Sequence, residues 1–154
     1  MTGKAAFRRA AVQDVEALSE LVVRSKASNG YSDEFMQAFT PELIVRPHLL
    51  RVGEMWVCEV GGEMVGLLHL VCDGEVAELE AMFVEPAYKR TGLGRQMFCF
   101  VETRRAALGA CSVELDADPF AVRFYEAMGC SLVGYSPSGS IPGRMLPRMR
   151  KTVR

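Results

Sequence analysis

Three strand-like segments follow one another through the middle of the chain, Met55 to Val60, Met64 to Cys72 and Val76 to Val84. Gly61-Gly62 and Asp73-Gly74 fill the short gaps, and both pairs tolerate the positive φ that tight hairpin turns require. Strands this close have no room for a crossover connection, so consecutive ones must pair antiparallel. An all-helical fold and a purely parallel sheet are both excluded.

The flanks supply the other layers. Residues 5 to 10 predict a short first strand, and 14 to 26 a helix with Asp14 near its start and Val15, Leu18, Leu21 and Val22 on one face. Asn29-Gly30 breaks it. Tyr31, Phe35 and Phe39 recur every four residues on a second helix, which Pro41 is expected to interrupt, with further helix up to Leu50. The aromatic stripe reads most simply as core. Beyond the meander come a helix from about Gly92 to Leu108 stopped by Gly109, a strand at Ser112 to Asp116, and a helix that Asp118-Pro119 opens and Gly129 closes. Two strands then bracket the small polar loop 136–143, and the second carries Arg144, Arg148, Arg150, Lys151 and Arg154. The predicted class is α/β of the mixed α+β kind, a mostly antiparallel central sheet of about six to seven strands with about four helices on its faces.

At 154 residues the chain is expected to be one domain, 1–154. With 18 Lys and Arg against 19 Asp and Glu, the net charge of -1 argues against a nucleic-acid partner. The five cysteines, at 58, 72, 99, 111 and 130, form no metal-ligand spacing and read as small buried hydrophobes in a reducing cytoplasm, so no metal is expected. In Met1-Thr2-Gly3-Lys4-Ala5-Ala6-Phe7-Arg8-Arg9 charge recurs too often for a signal peptide, and no apolar run suits a membrane span; a cytoplasmic protein is expected. Near-neutrality is an average. Asp73, Glu75, Glu78, Glu80 and Glu85 form an acidic run, and Lys89, Arg90 and Arg95 come directly after it.

Those basic residues sit where a strand ends and a helix begins, in Val84-Glu85-Pro86-Ala87-Tyr88-Lys89-Arg90-Thr91-Gly92-Leu93-Gly94-Arg95. Free N–H groups at a helix start, with glycines that let a ligand approach the main chain, make an anion site, and three cations suit a ligand with several phosphates. No Gly-Lys-Ser/Thr ends the loop and position 97 is Met, so neither a P-loop nor a dinucleotide fingerprint is present.

The segment resembles the acetyl-CoA signature of the GCN5-related N-acetyltransferases, Arg/Gln-x-x-Gly-x-Gly/Ala, present here as Lys89-x-x-Gly92-x-Gly94. Glu78 to Pro86 is similar to that family's fourth strand, and Ala121 to Gly129 to its fourth helix, with a tyrosine ahead of a glycine stop. The resemblance covers roughly residues 55 to 135. It implies acetyl-CoA as co-substrate, its pantetheine arm on Met82, Phe83 and Val84, and its pyrophosphate on Lys89, Arg90, Thr91, Gly92, Leu93, Gly94 and Arg95. Asp118, Phe120, Ala121, Phe124 and Tyr125 would line the other side, and the Met82 N–H would polarise the thioester carbonyl. Lys89 in place of Arg or Gln, Arg90 where glycine is frequent, and Phe120 where Asn is common depart from the family pattern.

Acyl transfer to an amine needs a base for the amine and a proton for the departing thiolate. Glu78 and Glu80 are the candidate bases; strand alternation puts both on the face of Met82 and Val84 unless a bulge changes the parity. Glu114 on the following strand is a substitute. The resemblance assigns the general acid to Tyr125. The expected reaction is direct acetyl transfer in a ternary complex to a small-molecule or amino-acid-like amine, without an acyl-enzyme. Alternatives are a catalytically weak acyl-CoA-binding regulatory module and a protein or peptide N-acetyltransferase. Segments 28–39 and 136–144 would meet the acceptor, with Arg144 either pairing with its carboxylate or idle at the surface. A second copy of the chain, as a homodimer, is an optional partner.

Overall fold

A computed structural model describes residues 3–153. Its strands are β1 (Ala6–Arg9), β2 (Glu54–Val60), β3 (Glu63–Asp73), β4 (Val76–Val84), β5 (Ser112–Asp116), β6 (Ser131–Pro137) and β7 (Met145–Thr152). They form one sheet in the order β1-β2-β3-β4-β5-β7-β6, and only β4 and β5 run parallel. The helices are α1 (Val15–Ala27), α2 (Asp33–Leu43), α3 (Leu93–Ala107) and α4 (Val122–Ala127).

Each face of the sheet buries one apolar layer. Leu18 and Val22 of α1 pack with Val45 on Met55, Val57 and Leu67. On the opposite face Leu93, Met97, Phe98 and Val101 of α3, with Tyr125 and Met128 from the α4 region, cover Cys58, Val65, Leu68, Leu70 and Leu79. Burial of side chains this size contributes about 1.5–3 kcal/mol each, which holds the helices down despite their unremarkable intrinsic propensity.

Three expectations need correction. Pro41 does not interrupt α2, which runs on to Leu43; two residues from the end, the ring forfeits only one intrahelical hydrogen bond. The aromatic stripe is not simply core: Phe39 is buried, Phe35 is 43% exposed, and Tyr31 precedes the helix whose N-cap, Ser32, accepts from the Phe35 N–H. Only Cys58 and Cys130 are buried, while Cys99 and Cys111 are exposed, so the cysteines do not share one role. Arg154, expected on the last strand, lies with Met1 and Thr2 outside the described residues.

The course of β4 positions the whole site. It pairs with β5 only over Val76–Glu78 against Ser112–Glu114, and then the two strands part. Its register against β3 slips as well: Leu70 pairs with Leu79 but His69 pairs with Ala81, so Glu80 is the extra residue of a bulge.

Candidate active site

Where β4 and β5 separate, β4 has main-chain groups with no strand beside them. The Glu85 N–H donates to the Val65 carbonyl at 2.8 Å on the β3 side. Backbone alternation therefore aims the N–H of Phe83 towards β3 and those of Met82 and Val84 into the gap. A groove of about 790 Å³ occupies that gap, a volume typical of cofactor clefts. Met82, Phe83 and Val84 form one wall, and Asp118, Phe120, Ala121, Phe124 and Tyr125 the other.

Lys89, Arg90, Gly92, Gly94 and Arg95 close the end of the groove at the start of α3. Gly92 is the N-cap, with φ of 89°. Gly94 is needed for packing: a Cβ there would lie 3.1 Å from the Phe124 ring, so α3 and the wall of the groove approach as closely as they do only without a side chain. Two neighbouring residues contribute differently. The Leu93 side chain is fully buried in the core, which leaves only its main chain for a ligand. The Thr91 hydroxyl donates to the Tyr88 carbonyl at 2.5 Å, tightening the turn.

Lys89 lines the groove while its ammonium is held by acceptors of the protein itself. Its Nζ donates to the Ser25 carbonyl (3.1 Å), the Ser28 hydroxyl (2.5 Å) and Asn29 Oδ1 (3.1 Å), tying the junction to the C-terminal end of α1, where a cation is favoured by the helix dipole. Desolvation there lowers its pKa. The cations left at the mouth are Arg90 and Arg95, both exposed. Arg90 has φ of 62°, the left-handed region that glycine favours and a β-carbon resists. Arg90→Gly is therefore expected to raise the unfolding free energy by about 0.5–1 kcal/mol while weakening acetyl-CoA binding several-fold. Denaturant unfolding and calorimetric titration of the same variant read the two effects separately.

The bulge at Glu80 reverses the parity expected for the carboxylates. Ala77 and Leu79 face α3, and so do Met82 and Val84, whereas Phe83 belongs to the α1 side. Glu78 therefore faces away from Met82 and Val84, because one inserted residue moves each later side chain to the other face. Glu78 is also engaged: Arg148 of β7 grips it with both terminal nitrogens, at 2.6 and 2.5 Å. The same guanidinium reaches Glu114 and Asp116, both at 3.2 Å, and Arg150 holds Glu114 as well, so neither Glu78 nor Glu114 is a free base. Glu80, at the bulge, makes no ion pair with the described residues and lines a second cavity. Its pKa is raised, first by desolvation and then by the charge of Glu78. His69, opposite Ala81, has its Nε2 within 2.6 Å of the Val52 carbonyl and is a hydrogen-bonded strand residue.

The second cavity, about 150 Å³, lies on the α2 side of the same gap. Lys26, Met82, Phe83, Asp118, Ala121 and Tyr125 wall both spaces, so the two cavities adjoin at these residues. The Tyr125 ring packs edge-on against Phe98 and Phe124, and burial raises its pKa. Asp118 caps the turn before α4 by accepting the Phe120 N–H at 2.9 Å, and also takes Lys26 Nζ (2.5 Å) and the Tyr31 hydroxyl (2.8 Å). Phe120 stands 65% exposed at the rim with its ring edge-on to Tyr31. Glu42 of α2 accepts from the Ser140 hydroxyl and holds the 138–143 loop over the cavity. Lys26, Glu42 and Arg148 were not foreseen as site residues. Lys26 meets Asp118 and Glu42 meets Ser140 from 92 and 98 residues away, and Arg148 meets Glu78 from 70 away, and no local pattern marks such a pairing. Among the described residues no group of His, Cys, Asp and Glu could hold a metal ion, and no helix is long and apolar enough to cross a membrane.

Comparison with known proteins agrees with this architecture. The family described as acetyltransferase (GNAT) domain matches residues 28–152. A GCN5-related N-acetyltransferase from Rhodopseudomonas palustris superposes with a TM-score of 0.81 at 20% identity, covering 99% of this chain and 98% of that one. The PaiA N-acetyltransferase of Thermoplasma acidophilum, solved in complex with coenzyme A, gives 0.79 at 18%, covering 97% and 99%. The ribosomal-protein-S18-alanine N-acetyltransferase of Escherichia coli gives 0.70 at 18%, covering 97% and 94%. No curated protein matches significantly by sequence. At these identities the neighbours show the fold, and the family match, over most of the chain, shows membership: the chain belongs to the GNAT family of acetyl-CoA-dependent N-acetyltransferases.

Proposed function

We propose that this chain moves an acetyl group from acetyl-CoA to the primary amine of a small molecule, by direct transfer with both substrates bound. The observation that carries this reading is the meeting of the two cavities at a shared wall containing Met82 and Tyr125. The long groove has the volume and the amide-lined edge for the pantetheine arm, and the small cavity gives an amine access to the same spot. Among the described residues, no cysteine or histidine lines either cavity, which favours direct attack over an acyl-enzyme.

Acetyl-CoA supplies an activated thioester. The Met82 N–H, aimed into the gap, is the donor for charge that develops on the carbonyl oxygen. Glu80 takes the proton that the attacking nitrogen must lose, directly or through water. Tyr125, bordering both cavities, gives its proton to the sulfur as the carbon–sulfur bond breaks, and recovers one from solvent. The structural neighbour named a ribosomal-protein-S18-alanine N-acetyltransferase is in keeping with an amine acceptor.

Two measurements test the reading together. Acetyl-CoA at 100 times its dissociation constant is expected to stabilise the folded chain by about 2.7 kcal/mol, a melting shift of several degrees. Thiol release from acetyl-CoA should then depend on adding an amine. A folded protein whose melting is unmoved by acetyl-CoA or CoA would refute the proposal, and binding without turnover on any amine would make the chain a CoA-binding module.

A further inference from the structure

The small cavity has an unbalanced set of charges. Lys26 and Arg144 line it with Glu42, Glu80, Asp116 and Asp118. Lys26 is neutralised by Asp118, and Asp116 by Arg148. Glu42 is bound by the Ser140 hydroxyl. Arg144 is thus the one lining cation, and Glu80 a lining carboxylate, for which the described residues provide no ionic partner.

Arg144 is nevertheless held firmly. Its guanidinium lies 5.3 Å from the centroid of the Tyr31 ring and 5.2 Å from that of Phe39. One terminal nitrogen donates to the Tyr31 hydroxyl at 2.7 Å, and that hydroxyl donates in turn to Asp118. Burial and the Asp118 hydrogen bond push the Tyr31 pKa up to about 12, so the hydroxyl keeps its proton and this relay its direction. A guanidinium has five N–H donors in a rigid fork, and the described residues take one from Arg144. A fixed fork with vacant donors beside a cavity is the arrangement that receives a carboxylate through two hydrogen bonds.

We propose that the cavity binds an amine that also carries a carboxylate, an amino-acid-sized zwitterion whose carboxylate is held by Arg144 and whose nitrogen lies towards Glu80. This rests on the acetyltransferase reading and deepens it. A cavity near 150 Å³ holds a body about the size of benzene, which suits the reacting part of a free amino acid. One arginine also favours a carboxylate over a phosphate, whose greater charge calls for more than one cation.

The test is CoA release from acetyl-CoA with free amino acids, each paired with its own amino-acid amide, in wild type, Arg144→Ala and Arg144→Lys. Melting temperatures control for folding. Wild type is expected to prefer the acid over the matching amide by about 10- to 100-fold in kcat/KM. In Arg144→Ala that ratio should collapse towards one, and in Arg144→Lys a reduced preference should survive. Equal use of acid and amide by wild type would overturn the proposal while leaving the acetyltransferase reading intact, as would an Arg144→Ala variant that loses the same factor on both. Failure to acetylate any amine, acid or amide, would overturn the two together.

Discussion

Glu80→Gln is expected to lower kcat/KM about 100-fold near neutral pH and to change the shape of the pH profile, because general-base catalysis by a positioned carboxylate contributes at least that much. Desolvation and the nearby charge of Glu78 both disfavour the ionised form, so Glu80 titrates above an ordinary glutamate. A base works only when deprotonated. As pH falls through that raised value, activity is lost in addition to the loss from protonating the amine, and the slope of log kcat/KM should steepen from one towards two. In Glu80→Gln the steeper leg disappears and the slope stays near one. Glu78→Gln is the contrasting variant: it removes the charge that Arg148 grips at 2.5 and 2.6 Å, so its main effect should fall on stability, and the steep leg should survive but move to lower pH because the Glu78 charge no longer disfavours ionised Glu80. A Glu80→Gln enzyme that keeps both its rate and the steep acid leg would exclude Glu80 as the base.

The contrast between these two glutamates shows where the sequence stops being readable. Helices and strands were legible because local signals agree: Gly61-Gly62 and Asp73-Gly74 turn the chain, Gly109 and Gly129 stop helices, and apolar residues repeat at the right period. The glycine pair at 92 and 94 and the strand before it likewise located the groove. The bulge carries no such mark. In Ala77-Glu78-Leu79-Glu80-Ala81-Met82 strict alternation is as good a pattern as the one adopted, and only pairing with His69 and Leu70 on β3 settles it. Arg148 is one of several basic residues in the last strand's sequence, with nothing to mark it out, yet β7 lies beside β5 and brings it onto Glu78, Glu114 and Asp116. Lys89 matched a phosphate-binding position by sequence but found three oxygen acceptors at the end of α1. For Arg148 and Lys89 the deciding partner is remote in sequence, and for the bulge it is a hairpin register that the alternating pattern leaves open, so local pattern supplied the scaffold and tertiary packing chose which charged groups remain free.

Tyr125→Phe is expected to reduce kcat by about 100-fold while leaving the melting temperature and the affinity for acetyl-CoA nearly unchanged. The substitution keeps the ring, and the ring is what packs against Phe98 and Phe124 at 6.0 and 5.1 Å between centroids. Only the proton donor is removed. Burial first, then the charges of Cys130 and Asp118, disfavour the phenolate, so the hydroxyl stays protonated well above the ordinary tyrosine value of about 10. A general acid must hold its proton to act. Wild-type kcat should therefore show no alkaline decline attributable to Tyr125 below about pH 10, and the deficit of the variant should be constant across the neutral range rather than growing or shrinking with pH. The departing thiol, with a pKa near 8.5 by analogy with cysteine, is a tolerable leaving group even unassisted, which argues for the lower end of the usual range for acid catalysis. Measuring kcat under saturating acetyl-CoA separates this loss from binding. If Tyr125→Phe stays within twofold of wild type, the tyrosine serves packing alone and the sulfur takes its proton from water.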